Sequence, residues 1–448
     1  MDNIQDEFDQ VPHPQHRLRI PAVPFAAALL FFLGPAIAFL SGDRADLIEN
    51  RQLARMPSLD SGWQAIPRFN AWAVDHLPLR AQAVRANTYL SESIFHEPPL
   101  STGHAPSAIG SVAAGNASPD FTTAKPSSSA VARVIQGKDG WLYLADDFSL
   151  VCDPRLGLPA VIDGLKRLHA AVESSGRKLV ISIIPDKATA VPQYLPESFG
   201  FKNCSESHRS EFWEQIVASG VPFIDLRGPL VQAERAARHP MYLSLNTHWS
   251  MQGAAVWTKA VLAALDGNLT EGMAIPGIDE GVAAATPSSE SPFVAGPMID
   301  VQGDLTVMLG APRKEPMLKI ELRREGVTLS SDGVALPNNA PPPIKTEAAG
   351  LPKTIEVSTV AAPLYPGQTL FLGDSFYDVF GGLLFAPFMS TLTPVYVLEE
   401  PAKIMQNMIN ADTVVLEVVE RSLSSGGVPL IQPDALAQLE RTLAAHHR

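Results

Sequence analysis

The stretch FLGDSFY at residues 371–377 decides the fold, because an apolar run meets a sharp turn there. Residues 369–372 predict a short buried strand, and the apolar segment after the turn can be helical. A strand that enters such a turn presents a serine at the carboxyl edge of a sheet, beside the free N–H groups of the next helix. Ser375 is therefore a candidate nucleophile; the alternative is that it only caps the helix.

A candidate base lies in the stretch YLSLNTHWS at residues 242–250. A serine hydroxyl needs a base, most often histidine, and the base needs a partner that holds its tautomer. Asn246 lies two residues before His248, and residues two apart in an extended segment face the same side. Asn246 and His248 can therefore act together. The alternative is a structural histidine packed beside Trp249.

The two stretches together resemble the SGNH-hydrolase-like alginate O-acetyltransferases and their relatives in exopolysaccharide acetylation. The pieces that carry the resemblance occur in order: ENR at 49–51 with Pro57, DHLPLR at 75–80, GKDGWLY at 137–143, IPDK at 184–187, IDL at 224–226, NTHW at 246–249, GDS at 373–375 and ER at 420–421. They cover most of the chain from about residue 45. The resemblance implies an SGNH-like parallel sheet flanked by helices, with Ser375 as nucleophile and His248 as base.

The chain departs from the family at position 246, where the family has an aspartate and this chain has Asn246. Asparagine accepts a hydrogen bond from imidazole but cannot stabilise imidazolium with a charge, and the same change costs roughly ten-thousand-fold in a serine triad of another fold. Three interpretations stay open. Asn246 holds the histidine well enough for a slow transferase, another carboxylate, such as Asp225 or Asp374, substitutes for the aspartate, or the site is degenerate.

The amino-terminal part of the chain predicts a membrane attachment. Residues 1–19 are polar and form a predicted cytoplasmic tail, whereas residues 20–42 contain no charged side chain and are long enough for a transmembrane anchor. The alternative is a cleaved signal peptide. An anchor would place the protein in the cell inner membrane as a single-pass protein, with the bulk of the chain in the periplasm. Residues 43–95 predict a membrane-proximal helical segment, and residues 96–130, rich in Pro, Ser, Ala and Gly, predict a linker.

Residues 131–448 predict an α/β domain. A hairpin is expected around the turn at 137–140, a helix at 158–175, a buried parallel strand at 178–184, and further β-α units up to residue 265. Residues 267–365 predict a β-rich insertion with long loops. The segments 394–398 and 413–419 predict two more strands, and 433–446 predicts a final helix.

Charged pairs and cysteines add expectations about this domain. Asp186 with Lys187, and Glu420 with Arg421, are predicted to form structural ion pairs at strand ends. The two cysteines, Cys152 and Cys204, predict a disulfide, with two buried thiols as the alternative. Neither zinc-ligand spacing nor a nucleotide-binding loop is present in the sequence, so no metal and no cofactor are expected.

The sequence and the resemblance together predict an O-acetyltransferase that modifies hydroxyls of an extracytoplasmic polysaccharide through an acetyl-serine intermediate. The expected oxyanion donors are the Ser375 N–H and the start of the next helix. The resemblance implies two partners, a polysaccharide acceptor and a multi-spanning membrane acyltransferase that supplies the acetyl group. The net charge of −13 argues against nucleic acid as a partner. The alternatives are an acetylesterase, or a non-catalytic polysaccharide-binding or scaffold subunit, which Asn246 favours.

Overall fold

The computed structural model describes residues 33, 37–41, 56, 69, 72, 76, 134–279, 291–342, 344, 353–359 and 362–448. The chain divides into two compact units, Met1–Asn87 and Thr88–Arg448. In the first unit, the indole of Trp72 stacks on the ring of His76 at 4.9 Å. The predicted tail, linker and most of the predicted anchor lie outside the described residues. Within the described ranges, no helix combines the length and the apolar character needed to cross a bilayer.

The second unit alternates strands and helices along most of its described length. Its described strands are β1 (Val134–Gln136), β2 (Leu142–Leu144), β3 (Lys178–Ile184), β4 (Ile224–Asp225), β5 (Phe293–Gln302), β6 (Lys314–Leu322), β7 (Thr328–Ser331), β8 (Val334–Ala335), β9 (Ile355–Ser358), β10 (Tyr365–Gly373), β11 (Met389–Tyr396) and β12 (Thr413–Val419). Its described α-helices are α1 (Asp146–Cys152), α2 (Leu158–Ser174), α3 (Lys187–Ala190), α4 (Lys202–Ala218), α5 (Arg227–Ala237), α6 (Met251–Leu265), α7 (Asp304–Met308), α8 (Gly382–Phe385), α9 (Pro401–Met408), α10 (Glu420–Ser424) and α11 (Pro433–Ala445).

The main sheet has the strand order β4-β3-β12-β10-β11-β9-β7-β8. Strands β4, β3, β12, β10 and β11 are parallel, and both faces of the central strands are covered, as parallel sheets require. In β3, Leu179 and Ile181 pack into the core beneath α2, whereas Val180 and Ile184 pack into the core that contains α6. The predicted strands 178–184 and 413–419 are confirmed.

The predicted parallel sheet is confirmed for β4, β3, β12, β10 and β11, but the main sheet as a whole is mixed. Strand β9 of the β-rich insertion pairs antiparallel with β11, with Ile355 opposite Leu392, and β7 and β8 extend the sheet further. The edge of β11 presents backbone groups that need partners, and the insertion supplies them. Strands β5 and β6 form a separate antiparallel hairpin. The predicted hairpin of β1 and β2 is confirmed, with Ile135 opposite Tyr143.

Three parallel strands end at one edge of the sheet. Strands β3, β12 and β10 run in the same direction in adjacent positions, so the residues after Ile184, Val419 and Gly373 emerge together. This edge carries the serine turn and the two charged dipeptides singled out in the sequence. The predicted disulfide is confirmed, since Cys152 at the end of α1 is bonded to Cys204 in α4.

Candidate active site

The turn after β10 holds Ser375 by contacts of its neighbour Asp374. The Asp374 carboxylate accepts hydrogen bonds from the N–H of Phe376 at 2.9 Å and from the N–H of Val419 at 2.9 Å. The N–H of Tyr377 also donates to the Asp374 carbonyl oxygen at 3.2 Å. These bonds tie the turn to the end of β12, so the position of Ser375 is determined by the main sheet.

A buried glutamate lies beneath the same turn. Glu417 in β12 is fully buried, and its Oε2 accepts the N–H of Asp374 at 2.8 Å. Burial first, and the charge of Asp374 second, raise the pKa of Glu417 well above its ordinary value. A Cβ at Gly373 would lie 2.8 Å from this Oε2, so a glycine is needed where the strand meets the carboxyl.

His248 lies at the end of a closed loop, immediately before α6, as the sequence predicts. The His248 carbonyl oxygen accepts the N–H of Leu243 at 3.1 Å, and the N–H of Ser250 donates to Met241 at 2.8 Å. Ser250 then caps α6, because its Oγ accepts the N–H of Gly253 at 3.3 Å. These two main-chain bonds place residues 248–250 beside residues 241–243, so the loop is closed. The closed loop fixes the position of the imidazole.

The structure brings Ser375, His248 and Asn246 together. Nε2 of His248 lies 2.8 Å from Oγ of Ser375, and Nδ1 lies 2.8 Å from Oδ1 of Asn246. The amide of Asn246 is oriented by two further bonds, since Oδ1 accepts the N–H of His248 at 3.0 Å and Nδ2 donates to the Gln302 carbonyl at 3.0 Å. Nδ1 therefore carries the proton, and Nε2 is left to accept the serine proton.

Neither carboxylate proposed as a substitute for the missing aspartate contacts His248. Asp225 pairs with Arg227 at 2.6 Å, and the two oxygens of Asp374 accept the main-chain N–H groups of Phe376 and Val419. The carboxylate that does approach is Asp304, whose Oδ2 lies 3.5 Å from Nδ1 of His248. The expectation that Asp225 or Asp374 replaces the aspartate is therefore wrong, because both are held by other partners.

The predicted ion pair of Lys187 with Asp186 is also wrong. Lys187 is buried, and its Nζ donates to the carbonyl oxygens of Leu142 at 2.6 Å, Ser244 at 2.9 Å and Asn246 at 3.0 Å. Burial lowers the pKa of Lys187 to about 7, while the charges of Glu315, Asp304 and Asp147 oppose that shift. Lys187 therefore attaches the histidine loop to the β1–β2 hairpin and to the end of β3.

A glutamate of the insertion holds the same loop from the other side. Glu315 in β6 accepts the N–H and the hydroxyl of Ser244, both at 2.7 Å, and the N–H of Leu245 at 2.7 Å. Charge-assisted bonds of this kind are stronger than neutral ones. The loop that carries His248 is thus fixed by a cation on one side and by a carboxylate on the other.

The predicted pair of Glu420 with Arg421 is replaced by a wider network. Arg421 Nη1 lies 2.7 Å from Asp186 Oδ1 and 3.1 Å from Asp147 Oδ1, whereas Glu420 pairs with Arg209 at 3.5 Å. Adjacent residues at a helix start point in different directions, so Glu420 and Arg421 meet different partners. Burial first, and the charge of Asp186 second, raise the pKa of Asp147 to about 8.

The site residues that sequence reasoning missed come from the insertion and from α3. Asp304 and Glu315 lie more than fifty residues after His248 in the sequence, and no local pattern connects them to the histidine loop. The signal that was present is the short segment QGD at 302–304, a strand end followed by glycine and an acid at a helix start. This segment resembles the serine turn at 373–375, but nothing in it shows that Asp304 contacts His248.

Part of this chain is similar in sequence to known proteins. Residues 134–321 match a family model described as an SGNH hydrolase-like domain of the acetyltransferase AlgX. A probable alginate O-acetylase AlgJ of Pseudomonas syringae pv. tomato is 27% identical over 132 residues, which are 30% of this chain and 33% of that protein. A probable AlgJ of Pseudomonas fluorescens is 27% identical over 129 residues, 28% of this chain and 32% of that protein. The chain thus matches about a third of the length of these relatives.

Two solved structures align with part of this chain. The O-acetyltransferase domain of Pseudomonas putida AlgJ superposes with a TM-score of 0.41 at 19% identity, covering 69% of this chain and 99% of that chain. Pseudomonas aeruginosa AlgX superposes with a TM-score of 0.39 at 13% identity, covering 69% of this chain and 65% of that chain. The resemblance predicted from the sequence is confirmed, because residues 134–321 are similar to the SGNH hydrolase-like acetyltransferase domains.

Proposed function

We propose that this protein is an O-acetyltransferase that uses Ser375 as nucleophile and His248 as base. The observation that carries the proposal is the continuous hydrogen-bonded chain from Ser375 Oγ through the imidazole to Asn246 Oδ1, with both steps at 2.8 Å. A nucleophile, a base and an orienting group in this sequence are the arrangement that activates a serine hydroxyl. The similarity to acetyltransferase domains supports acetyl transfer as the reaction.

The proposed reaction has two steps, acetylation of Ser375 and transfer of the acetyl group to a sugar hydroxyl. Ser375 Oγ attacks the acetyl carbonyl of a donor ester while Nε2 of His248 takes the serine proton; the donor oxygen then leaves and receives that proton. In the second step a sugar hydroxyl gives its proton to Nε2 and attacks the acetyl-serine. The acetyl group passes to the sugar, and Ser375 regains the proton. The imidazole is positively charged in both transition states.

The oxyanion of each tetrahedral intermediate needs preorganised donors. The N–H groups of Phe376 and Tyr377 both donate to Asp374, so they are not available for this purpose. The first residues of a helix have N–H groups without intrahelical partners. We therefore assign the Ser375 N–H as an oxyanion donor.

The acceptor, donor and location of the reaction complete the proposal. The relatives named alginate O-acetylases support a polysaccharide acceptor of the alginate type. We propose that a multi-spanning membrane acyltransferase supplies the acetyl group. We also propose that residues 20–42 anchor the chain in the inner membrane, with its bulk in the periplasm, since this segment lacks charged side chains.

Two other functions use the same fold. Water as the acceptor in the second step would make the protein an acetylesterase. A non-catalytic polysaccharide-binding or scaffold subunit is the second candidate, and Asn246 favours it, because the amide carries no charge for the imidazolium.

The test uses the full-length protein with a chromogenic acetyl ester and follows the product burst together with the intact mass. We expect the mass to increase by one acetyl group in place of a hydrogen, and we expect Ser375→Ala to lose both the adduct and the turnover. Circular dichroism of the variant checks that it is folded. If the wild-type protein is folded but forms no adduct and releases no product, the enzymatic proposal fails, and binding of acetylated and deacetylated alginate is measured instead.

A further inference from the structure

We infer that Asp304 supplies the negative charge for His248 that Asn246 cannot supply, so that the usual single partner of the histidine is divided between two residues. The inference rests on the proposed function, because a charge is needed only if the imidazole becomes positive during catalysis. Asn246 Oδ1 and Asp304 Oδ2 lie 2.8 Å and 3.5 Å from the same Nδ1. Both are positioning residues that act through His248.

Asn246 fixes the direction and the tautomer of the imidazole. Its Oδ1 accepts both the main-chain N–H and the Nδ1–H of His248, and its Nδ2 is occupied by the Gln302 carbonyl. Gln302 ends β5, two residues before Asp304. The amide is therefore oriented by the same hairpin that brings the carboxylate, which couples the two partners structurally.

Asp304 is aimed at the histidine by its place at the start of α7. Its Oδ1 accepts the N–H of Thr247 at 2.8 Å and the N–H of Leu305 at 2.7 Å, so its Oδ2 is left facing Nδ1 of His248. A Cβ at Gly303 would lie 2.6 Å from the carbonyl oxygen of Leu245. Glycine at this position allows the close approach of the hairpin to the histidine loop.

The electrostatics are consistent with an ionised Asp304. Burial opposes its charge, but the hydrogen bond and the charge interaction with His248, together with the bonds from Thr247, lower the pKa of Asp304. The side chain is 35% exposed, whereas that of His248 is 3% exposed, so solvent weakens the interaction without removing it. A carboxylate at this distance stabilises the imidazolium that forms when Ser375 loses its proton.

The kinetic test compares four variants of the full-length protein. Asp304→Asn keeps an Oδ1 acceptor for Thr247 and Leu305, removes the charge and turns an amide group toward Nδ1, so we expect kcat to fall roughly 10- to 100-fold with KM nearly unchanged. Asn246→Asp in the Asp304→Asn background should restore most of the loss. Asn246→Asp alone adds a second carboxylate beside Nδ1 but removes the amide donor to the Gln302 carbonyl, so we expect kcat to fall. Asp300→Asn, an exposed acid on the same hairpin, is the matched control and should have no effect.

Two kinetic outcomes overturn the inference while the proposed function stands. One is a wild-type kcat for Asp304→Asn; the other is a gain for Asn246→Asp alone that approaches the ten-thousand-fold cost known for the reverse change. Loss of activity in Asp304→Asn that Asn246→Asp does not restore would indicate a structural role only. The acetyl adduct on Ser375 in the wild type, absent in Ser375→Ala, tests the proposed function separately.

A titration tests the contact without any activity. The carboxyl signal of Asp304 is followed by NMR against pH in the wild type and in His248→Gln, and assigned by its loss in Asp304→Asn. We expect the pKa of Asp304 to rise in His248→Gln, because its principal stabilising partner is gone. An unchanged pKa would contradict the contact. If the wild type forms no acetyl-enzyme, this titration alone decides whether Asp304 is the charged partner of His248.

Discussion

The two halves of the candidate site are supported in different ways. Ser375 is held by its immediate neighbour Asp374 and by β12, which lies beside β10 in the main sheet. His248 lies on a loop held by α3 and by the β5–β6 hairpin, through Lys187 and Glu315. The nucleophile is thus positioned by a strand end, which is a local feature, and the base by contacts between distant segments. The position of His248 should therefore be more sensitive than the position of Ser375 to substitutions outside the site.

Lys187→Met is the strongest test of this difference. It removes the buried donor of the Leu142 and Asn246 carbonyl oxygens, whereas the Ser244 carbonyl oxygen keeps the N–H of Leu142, and each unsatisfied group costs on the order of 1–3 kcal/mol. We expect the free energy of unfolding to fall by about 3 kcal/mol or more, measured by urea denaturation, and kcat to fall as Asn246 shifts. Lys138→Met, at an exposed lysine in the β1–β2 turn, is the control. Equal stability of the two variants would contradict the role of Lys187 in the loop.

Glu315→Gln should have a smaller effect on the same loop. Glutamine keeps one acceptor oxygen but presents an amide group to a donor of Ser244 or Leu245, so charge-assisted bonds are lost. We expect the free energy of unfolding to fall by about 2 kcal/mol, and kcat to fall less than in Lys187→Met. The control is Glu321→Gln, an exposed glutamate on the same strand. If both glutamine variants behave alike, the insertion does not support the histidine loop.

The smallest expected effect is a pH dependence of the free energy of unfolding. Its sign for Asp147 is opposite to its sign for Asp304. Asp147, beneath the carboxyl edge of the main sheet, has a pKa raised to about 8 by burial and by Asp186. A carboxyl with a raised folded-state pKa binds its proton more tightly when folded, so its contribution to stability is lost as pH rises from about 4 to about 8. The pKa of Asp304 is lowered, so its contribution is present above the unfolded pKa and is lost as pH falls through the folded pKa.

Thermal unfolding midpoints across pH measure both contributions. We expect Asp147→Asn to flatten the decline in midpoint between about pH 4 and about pH 8, and Asp304→Asn to flatten the decline on the acid side. Each variant leaves the other limb unchanged, so each is the control for the other. A wild-type slope on the neutral side in Asp147→Asn would show that this carboxyl does not titrate there.

Much of the fold could be predicted from the sequence where the pattern is local. The apolar runs of β3 and β12 are long and uninterrupted, so their strands were predicted with the bounds that the structure has. The sequence favours a strand over residues 222–226, but only Ile224 and Asp225 pair with β3. Strand length depends on pairing with a neighbour, which a single segment does not reveal.

The charged pairs were predicted wrongly for a related reason. Lys187 follows Asp186, and Arg421 follows Glu420, so sequence proximity favours pairing within each dipeptide. In the folded chain, Lys187 satisfies three carbonyl oxygens, and Arg421 satisfies Asp186 and Asp147. Buried charged side chains pair with the groups that satisfy most of their hydrogen-bonding atoms. In this chain those groups lie on other helices, strands and loops.

The sequence by itself determined where the candidate nucleophile lies and which residue is the candidate base. Ser375 follows an apolar strand, and Asn246 lies two residues before His248, so short-range geometry sufficed for both. Only the tertiary structure decided that the two stretches meet and that Asp304 approaches Nδ1 of His248. The reason is physical: a hydrogen bond or a charge interaction acts over a few ångströms, and sequence separation does not determine which distant segments come that close.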